Sequence, residues 1–210
     1  PLTSIKMFAE MMAKGRVQKP EKIQEYSLLI GKESSRLENL IGAILSYTRM
    51  EHTSTAFKWE RFDFGICAET VYNALVDIAL QKPLEISSRI EKNLFVMGDY
   101  TSLYSLIQNL IENAIKYTNS PGSIFVQAYE ENEKIVFSVT DTGIGIPSSE
   151  QKNIFNDFYR VGDEMTRSTK GSGLGLAIVK RVAETHKASI SLQSRLGKGS
   201  TFTVRFKKAE

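Results

Sequence analysis

Between residues 103 and 116 the chain carries a pattern that suits a helix buried along one side. Turned by about 100° per residue, Asn109, Glu112, Asn113 and Lys116 fall within one arc, and Leu103, Ile107, Leu110, Ile111, Ala114 and Ile115 fall on the other side. Covering that apolar side with a sheet sets two amides, a carboxylate and an ammonium in a row at the mouth of a cleft. Oxygen ligands from Asn or Glu suit Mg2+, which keeps several waters and is shared with substrate phosphates. Taken alone, the segment also reads as an ordinary amphipathic helix with a solvated face.

A second segment narrows the choice. Ile135 to Thr140 alternates at Phe137 and Val139, which predicts a half-buried strand, and it runs straight into Asp141-Thr142-Gly143-Ile144-Gly145. An ionised carboxylate only accepts hydrogen bonds, so Asp141 at the strand end could select a base with an exocyclic amino group, as adenine has. Gly143 and Gly145 let the backbone approach a flat ring. A glycine-rich turn capped by Asp is the plainer reading of the same five residues. A third segment, Gly171-Ser172-Gly173-Leu174-Gly175-Leu176, opens a helical pattern over Ala177 to Ala183, and free amides at a helix start attract anions. The dinucleotide fingerprint is excluded, since the third glycine comes one residue early and no strand precedes it. Gly197-Lys198-Gly199-Ser200-Thr201 lacks Walker spacing and instead turns the chain into the strand Phe202-Val204-Phe206.

In order and wording these segments resemble the ATP-binding domain of bacterial sensor histidine kinases, within the wider group shared with gyrase, mismatch-repair ATPases and heat-shock chaperones. Asn109 to Thr118 resembles the N box, Asp141 to Pro147 the G1 box, Ile154 to Arg160 the F box and Gly171 to Leu176 the G2 box. The resemblance implies that Asn113 coordinates Mg2+ between the phosphates with Asn109 beside it. It makes Glu112 the base that orients or deprotonates the nucleophile, and it sets Lys116 and Tyr117 against phosphate and the nucleotide edge. Asp141 would accept from the adenine amino group, with Gly143, Gly145 and Ile146 alongside and Thr201 supporting the base through water. Arg160 would approach the phosphates, and Gly171, Ser172, Gly173, Leu174, Gly175 and Leu176 would shape the lid and the helix after it. Phe155 and Phe158 are expected to anchor the lid by packing. Val161 to Lys170, poor in apolar residues, reads as a mobile lid or a plain surface loop.

The first third of the chain points the same way. Ile5, Phe8, Ala9 and Met12 recur at helical spacing, Gly15 to Pro20 breaks the pattern, and a longer helix is predicted from about Glu21 to His52. Ile23, Tyr26, Ile30, Leu37, Leu40, Ile41, Ile44 and Leu45 lie on one side of it. A lone hairpin cannot cover that surface, so a second copy completing a four-helix bundle is expected, with packing onto its own ATP domain as the alternative. Pro1 to Ile5 resembles the tail of the H box, which implies a phosphoacceptor histidine upstream of Pro1. The chain therefore reads as a fragment. His52 and His186 are expected to be helix C-terminal residues favoured by the dipole rather than phosphoacceptors.

The expected organisation is α+β: a dimerising helical hairpin over 1–55, then an α/β sandwich over 56–210 whose mixed sheet is covered on one face by helices. Strands are predicted at 84–89, 123–129, 133–140, 188–193 and 200–206, and helices at about 66–81, 99–116 and 174–186. A formal charge of +3 over 210 residues argues against nucleic acid. The single Cys67 fits a reducing compartment, and no apolar run of about eighteen residues is present to cross a membrane. The expected location is cytoplasmic, on a parent that is membrane-anchored in many relatives. The partners implied by the resemblance are a second copy and a response-regulator receiver domain, and the implied ligands are ATP and Mg2+.

Overall fold

The structure is a computed structural model, and it describes residues 2–51, 57–161 and 172–209. The chain divides into two compact units, Pro1–Glu51 and His52–Glu210.

In the first unit, α1 (Leu2–Ala13) and α2 (Pro20–Glu51) form a helical hairpin. Gly15 turns the chain at a φ of +65°, and Pro20 opens α2 at a first-turn position where its missing N–H costs nothing. Phe8 and Tyr26 hold the two helices together, their ring centroids 4.9 Å apart. No residue of α1 is buried within this unit, and Ile23, Leu28 and Ile41 of α2 are exposed. His52 and residues 162–171, which take in most of the expected lid, lie outside the described residues.

The second unit is built on a five-stranded mixed sheet of β2 (Leu84–Ile90), β4 (Gly122–Glu131), β5 (Lys134–Asp141), β6 (Ser189–Arg195) and β7 (Gly199–Lys207), in the order β2-β4-β5-β7-β6. The β2–β4 pair is parallel and the others are antiparallel. Ile124, Val126 and Ala128 of β4 stand in register with Asp141, Val139 and Phe137 of β5, which pair in turn with Ser200, Phe202 and Val204 of β7. Because side chains alternate across a sheet, this row forms one apolar face. On it lie α3 (Phe64–Leu80), α4 (Tyr100–Tyr117) and α5 (Gly175–Thr185). Leu103, Leu106, Ile107, Leu110 and Ile111 of α4 are all buried, each contributing about 1.5–3 kcal/mol by leaving water. Phe64, at the start of α3, packs its ring against Phe137 and Phe206.

Three expectations are revised here. The predicted half-burial of β5 is too modest: Ile135 to Val139 are buried on both faces, since the strand is central and flanked by the longer side chains of β4 and β7. Two short strands, β1 (Trp59–Asp63) and β3 (Phe95–Asp99), pair antiparallel in a sheet of their own that the sequence reading did not include. His186 does end α5, but as a buried imidazole rather than a dipole-favoured cation. Its Nε2 accepts from the Asp99 amide at 3.0 Å, Nδ1 lies 2.8 Å from the Val182 carbonyl, and burial lowers its pKa.

Candidate functional site

Asp99 caps α4 by accepting from the backbone and side chain of Ser102, at 2.8 and 2.7 Å. With that start fixed and the apolar stripe on the sheet, Asn109, Asn113 and Lys116 emerge half-buried and Glu112 exposed along one edge. Asn109 Nδ2 donates to the Ser105 carbonyl at 2.8 Å, which leaves its Oδ1 as an acceptor aimed at the first residue of α5. A Cβ at Gly175 would stand 2.8 Å from that oxygen and 3.7 Å from Asn113 Nδ2. The two-amide helix and the glycine-rich helix start are therefore in direct contact. Leu174, at the N-cap position of α5, supplies no side-chain cap, so the first amides of this helix are not answered by a capping side chain. Glu112 accepts from Gln108 Nε2 at 2.7 Å, and Lys116 Nζ sits 4.6 Å from the centre of the Tyr117 ring.

At the far end of α4 the chain meets the D-x-G-x-G loop. The Tyr117 carbonyl accepts from the Ile144 amide at 3.1 Å, and a side chain at Gly143 would collide with that same carbonyl, at 2.3 Å. Gly145 adopts a φ of +65° with its Cα pressed on the Arg195 carbonyl, where an added Cβ would stand 2.0 Å away. Any other residue would be both strained and displaced there. Asp141 is 7% exposed. Burial raises its pKa, and backbone hydrogen bonds from Gly143 and Ser200 partly offset that. A carboxylate whose charge is costly in this setting is favoured by any further N–H donor brought to it.

Of the residues named from sequence, the structure brings Asn109, Asn113 and Gly175 together, and likewise Tyr117, Asp141, Gly143 and Ile144. Ile146 is held by a hydrogen bond from its amide to Ser194 Oγ at 2.8 Å. Arg160 and Leu176 are half-buried, and Ser172 Oγ accepts from the Leu174 amide at 3.2 Å. Gly171 falls outside the described residues. Thr201 is a correction. Its hydroxyl lies 3.1 Å from that of Thr140, on the sheet face opposite Asp141, because neighbouring residues of a strand point to opposite faces. The hydroxyl beside Asp141 belongs to Ser200, its direct partner across the β5–β7 ladder. The Phe158 side chain is 66% exposed and Gly173 packs against its backbone, while the lid it is expected to anchor falls mostly outside the described residues. Phe155 does pack, edge-on to Phe202.

Among the described residues no group of three His, Cys, Asp or Glu could hold a metal by itself. Two amides suit a cation that takes most of its ligands from phosphate and water.

Two family models match the chain: the His Kinase A (phospho-acceptor) domain over residues 1–53, and the histidine kinase-, DNA gyrase B-, and HSP90-like ATPase over residues 98–210. The chain belongs to the histidine kinases. Curated relatives of this histidine kinase core include the sensor histidine kinase RppB of Synechocystis sp., 33% identical over 84% of this chain and 39% of its own length. Another is the sensor-like histidine kinase SenX3 of Mycolicibacterium smegmatis, 32% identical over 97% of this chain and 53% of its own. The chain thus spans about half or less of the length of these relatives. Among solved structures, the Acinetobacter baumannii histidine kinase AdeS superposes with a TM-score of 0.76 at 21% identity, covering 100% of this chain and 96% of its own. The histidine kinase ThkA, solved in complex with the response regulator protein TrrA, gives a TM-score of 0.73 at 24% identity over 98% of this chain and 58% of its own. These likenesses establish a shared fold. Among the described residues no helix is long and apolar enough to cross a membrane.

Proposed function

We propose that this histidine kinase core binds Mg-ATP along α4, base at the D-x-G-x-G loop and phosphates at the contact between α4 and α5. It then transfers the γ-phosphoryl to a histidine upstream of Pro1. The observation that carries the reading is the contact of Gly175 with Asn109 and Asn113, which joins two amides to an uncapped helix start at one place. At the other end Asp141 accepts from the adenine amino group, with Ser200 taking the supporting place expected of Thr201. Asn113, with Asn109 beside it, would hold Mg2+, which supplies charge neutralisation of the triphosphate.

In the transfer, a histidine ring nitrogen bonds to the γ-phosphorus while the bond from that phosphorus to the β–γ bridging oxygen breaks, and ADP leaves. Glu112, exposed on the same edge of α4, takes the proton the nitrogen loses. Positioning and charge stabilisation do the rest.

Phosphate passes next to an aspartate of a response-regulator receiver domain, a partner supported by ThkA having been solved with a response regulator. The hairpin pairs with a second copy, which would cover helix faces that the described hairpin leaves open. The proposed setting is cytoplasmic, with the parent anchored in a bacterial inner membrane.

The test is incubation with γ-labelled ATP of a chain extended upstream to include the histidine. A labelled product stable to base and lost in acid supports a phosphoramidate. No label on the extended chain, or label with the opposite lability, refutes the reading.

A further inference from the structure

We infer that Ser194, which lies outside all four sequence boxes, is a positioning residue for base selection: its hydroxyl ties the end of the D-x-G-x-G loop to Ser200 beside Asp141. The inference deepens the nucleotide-site reading and rests on it.

Ser194 occupies an inward position of β6, following Ile190 and Leu192 in the same alternation. A hydroxyl where apolar side chains precede it must find polar partners, and this one has three. It accepts from the Ile146 amide at 2.8 Å, lies 3.0 Å from the Gly199 carbonyl and lies 2.9 Å from Ser200 Oγ. A hydroxyl has one proton to give and two lone pairs to fill. Only one assignment meets all three contacts. Ser194 donates to the Gly199 carbonyl, and it accepts from the Ile146 amide and from the Ser200 hydroxyl.

The Ser200 proton is thereby turned toward Ser194, and the Ser200 lone pairs are left beside the Asp141 carboxylate. This wall only accepts. An adenine amino group satisfies it, whereas the guanine carbonyl at the same ring position meets two acceptors. Gln151 reinforces the arrangement from outside the strand. Its Nε2 donates to the Ile146 carbonyl at 3.0 Å and to the Ser194 carbonyl at 2.9 Å, so the loop end and the β6 residue are held at both backbone and side chain.

Removing the Ser194 hydroxyl frees the Ser200 proton to face the pocket and leaves the Ile146 amide without its partner. The wall then offers a donor to guanine. Calorimetric titration of the chain with Mg-ATP, Mg-GTP and Mg-tripolyphosphate reads this directly. Ser194→Ala is expected to weaken ATP about tenfold, the scale of one buried hydrogen bond, while GTP and tripolyphosphate stay within about twofold. Ser194→Thr, which keeps the hydroxyl, restores the ATP preference. A folded Ser194→Ala protein with the wild-type ratio of ATP to GTP affinity overturns the inference. Should that variant fail to fold, Gln151→Ala decides, with an expected loss of about threefold in the ratio and an unchanged ratio as the refuting result. A wild-type chain that binds tripolyphosphate but shows no preference for ATP over GTP overturns the base-selection reading itself, whichever way the variants behave.

Discussion

The two ends of α4 are built differently. At its C-terminal end, Tyr117, Gly143, Ile144, Gly145, Ile146, Ser194, Gln151 and Ser200 are locked by hydrogen bonds and by close backbone approaches that leave no room for a side chain. Along its middle, by contrast, Asn109 and Glu112 bond, among the described residues, to residues one turn earlier on the same helix. A wall fixed by tertiary bonds can discriminate shape and donor pattern before any ligand arrives. A row whose described hydrogen bonds stay within its own helix can rearrange around a charged, hydrated ligand. On the proposed reading, recognition of the base and handling of the phosphates are separable, and substitutions should separate them.

The largest expected effect falls on chemistry. Glu112→Gln keeps the hydrogen-bonding shape but removes the proposed proton acceptor, so the rate of histidine phosphorylation in the extended chain should fall by about 10²- to 10⁴-fold with ATP affinity unchanged. An equal loss of affinity would show that Glu112 binds rather than reacts.

Asp141→Asn comes next. It replaces a buried acceptor by a group that also donates, and affinity for both ATP and adenosine should fall about a hundredfold, with or without magnesium. Asn113→Ala should act only at the other end: ATP binding in the presence of Mg2+ weakens about tenfold, and adenosine binding is untouched. If Asn113→Ala weakened adenosine, or Asp141→Asn spared it, the division between the two ends would be wrong.

How much of this was legible in the sequence depends on how local the determining contacts are. The long helix predicted from Glu21 to His52 is α2, and the strands predicted at 84–89 and 200–206 are β2 and β7, because periodicity within one segment carries that information. β1 and β3 are five residues each and pair only with one another, so neither segment announces itself alone. The Thr201 reading had its correction available. Ser200, Phe202, Val204 and Phe206 alternate as one face, which puts Ser200 inward and Thr201 outward. Ser194 likewise continues the alternation of Ile190 and Leu192. Gln151 carried no such signal, since its role exists only once the loop after Gly145 has been folded back onto β6.

His186 is the least legible residue of all, joined to Asp99 across 87 positions of sequence, and it yields the smallest and most specific prediction. It sits at the N-terminal end of α4, opposite the end proposed to recognise the base. Its Nε2 must be unprotonated to accept from the Asp99 amide, and Nδ1–H donates to the Val182 carbonyl, so the folded state requires a neutral ring. The Trp59 ring lies tilted against it, 4.9 Å between centroids, and the Asp99 carboxylate, whose charge favours the protonated ring, is taken up by Ser102 and by the Lys58 amide. Burial outweighs that attraction and lowers the folded-state pKa below the usual value. The unfolded chain therefore binds a proton that the folded chain refuses, once the pH drops below about 6.5. Stability from this residue is complete above that point and is lost on acidification, at no more than about 1.4 kcal/mol per pH unit. Melting temperature measured from pH 8 down to pH 5 should decline below about 6.5 in the wild type. His186→Gln, which keeps an acceptor but cannot titrate, should flatten that decline, and an identical acid limb in the variant would assign the pH dependence to other groups.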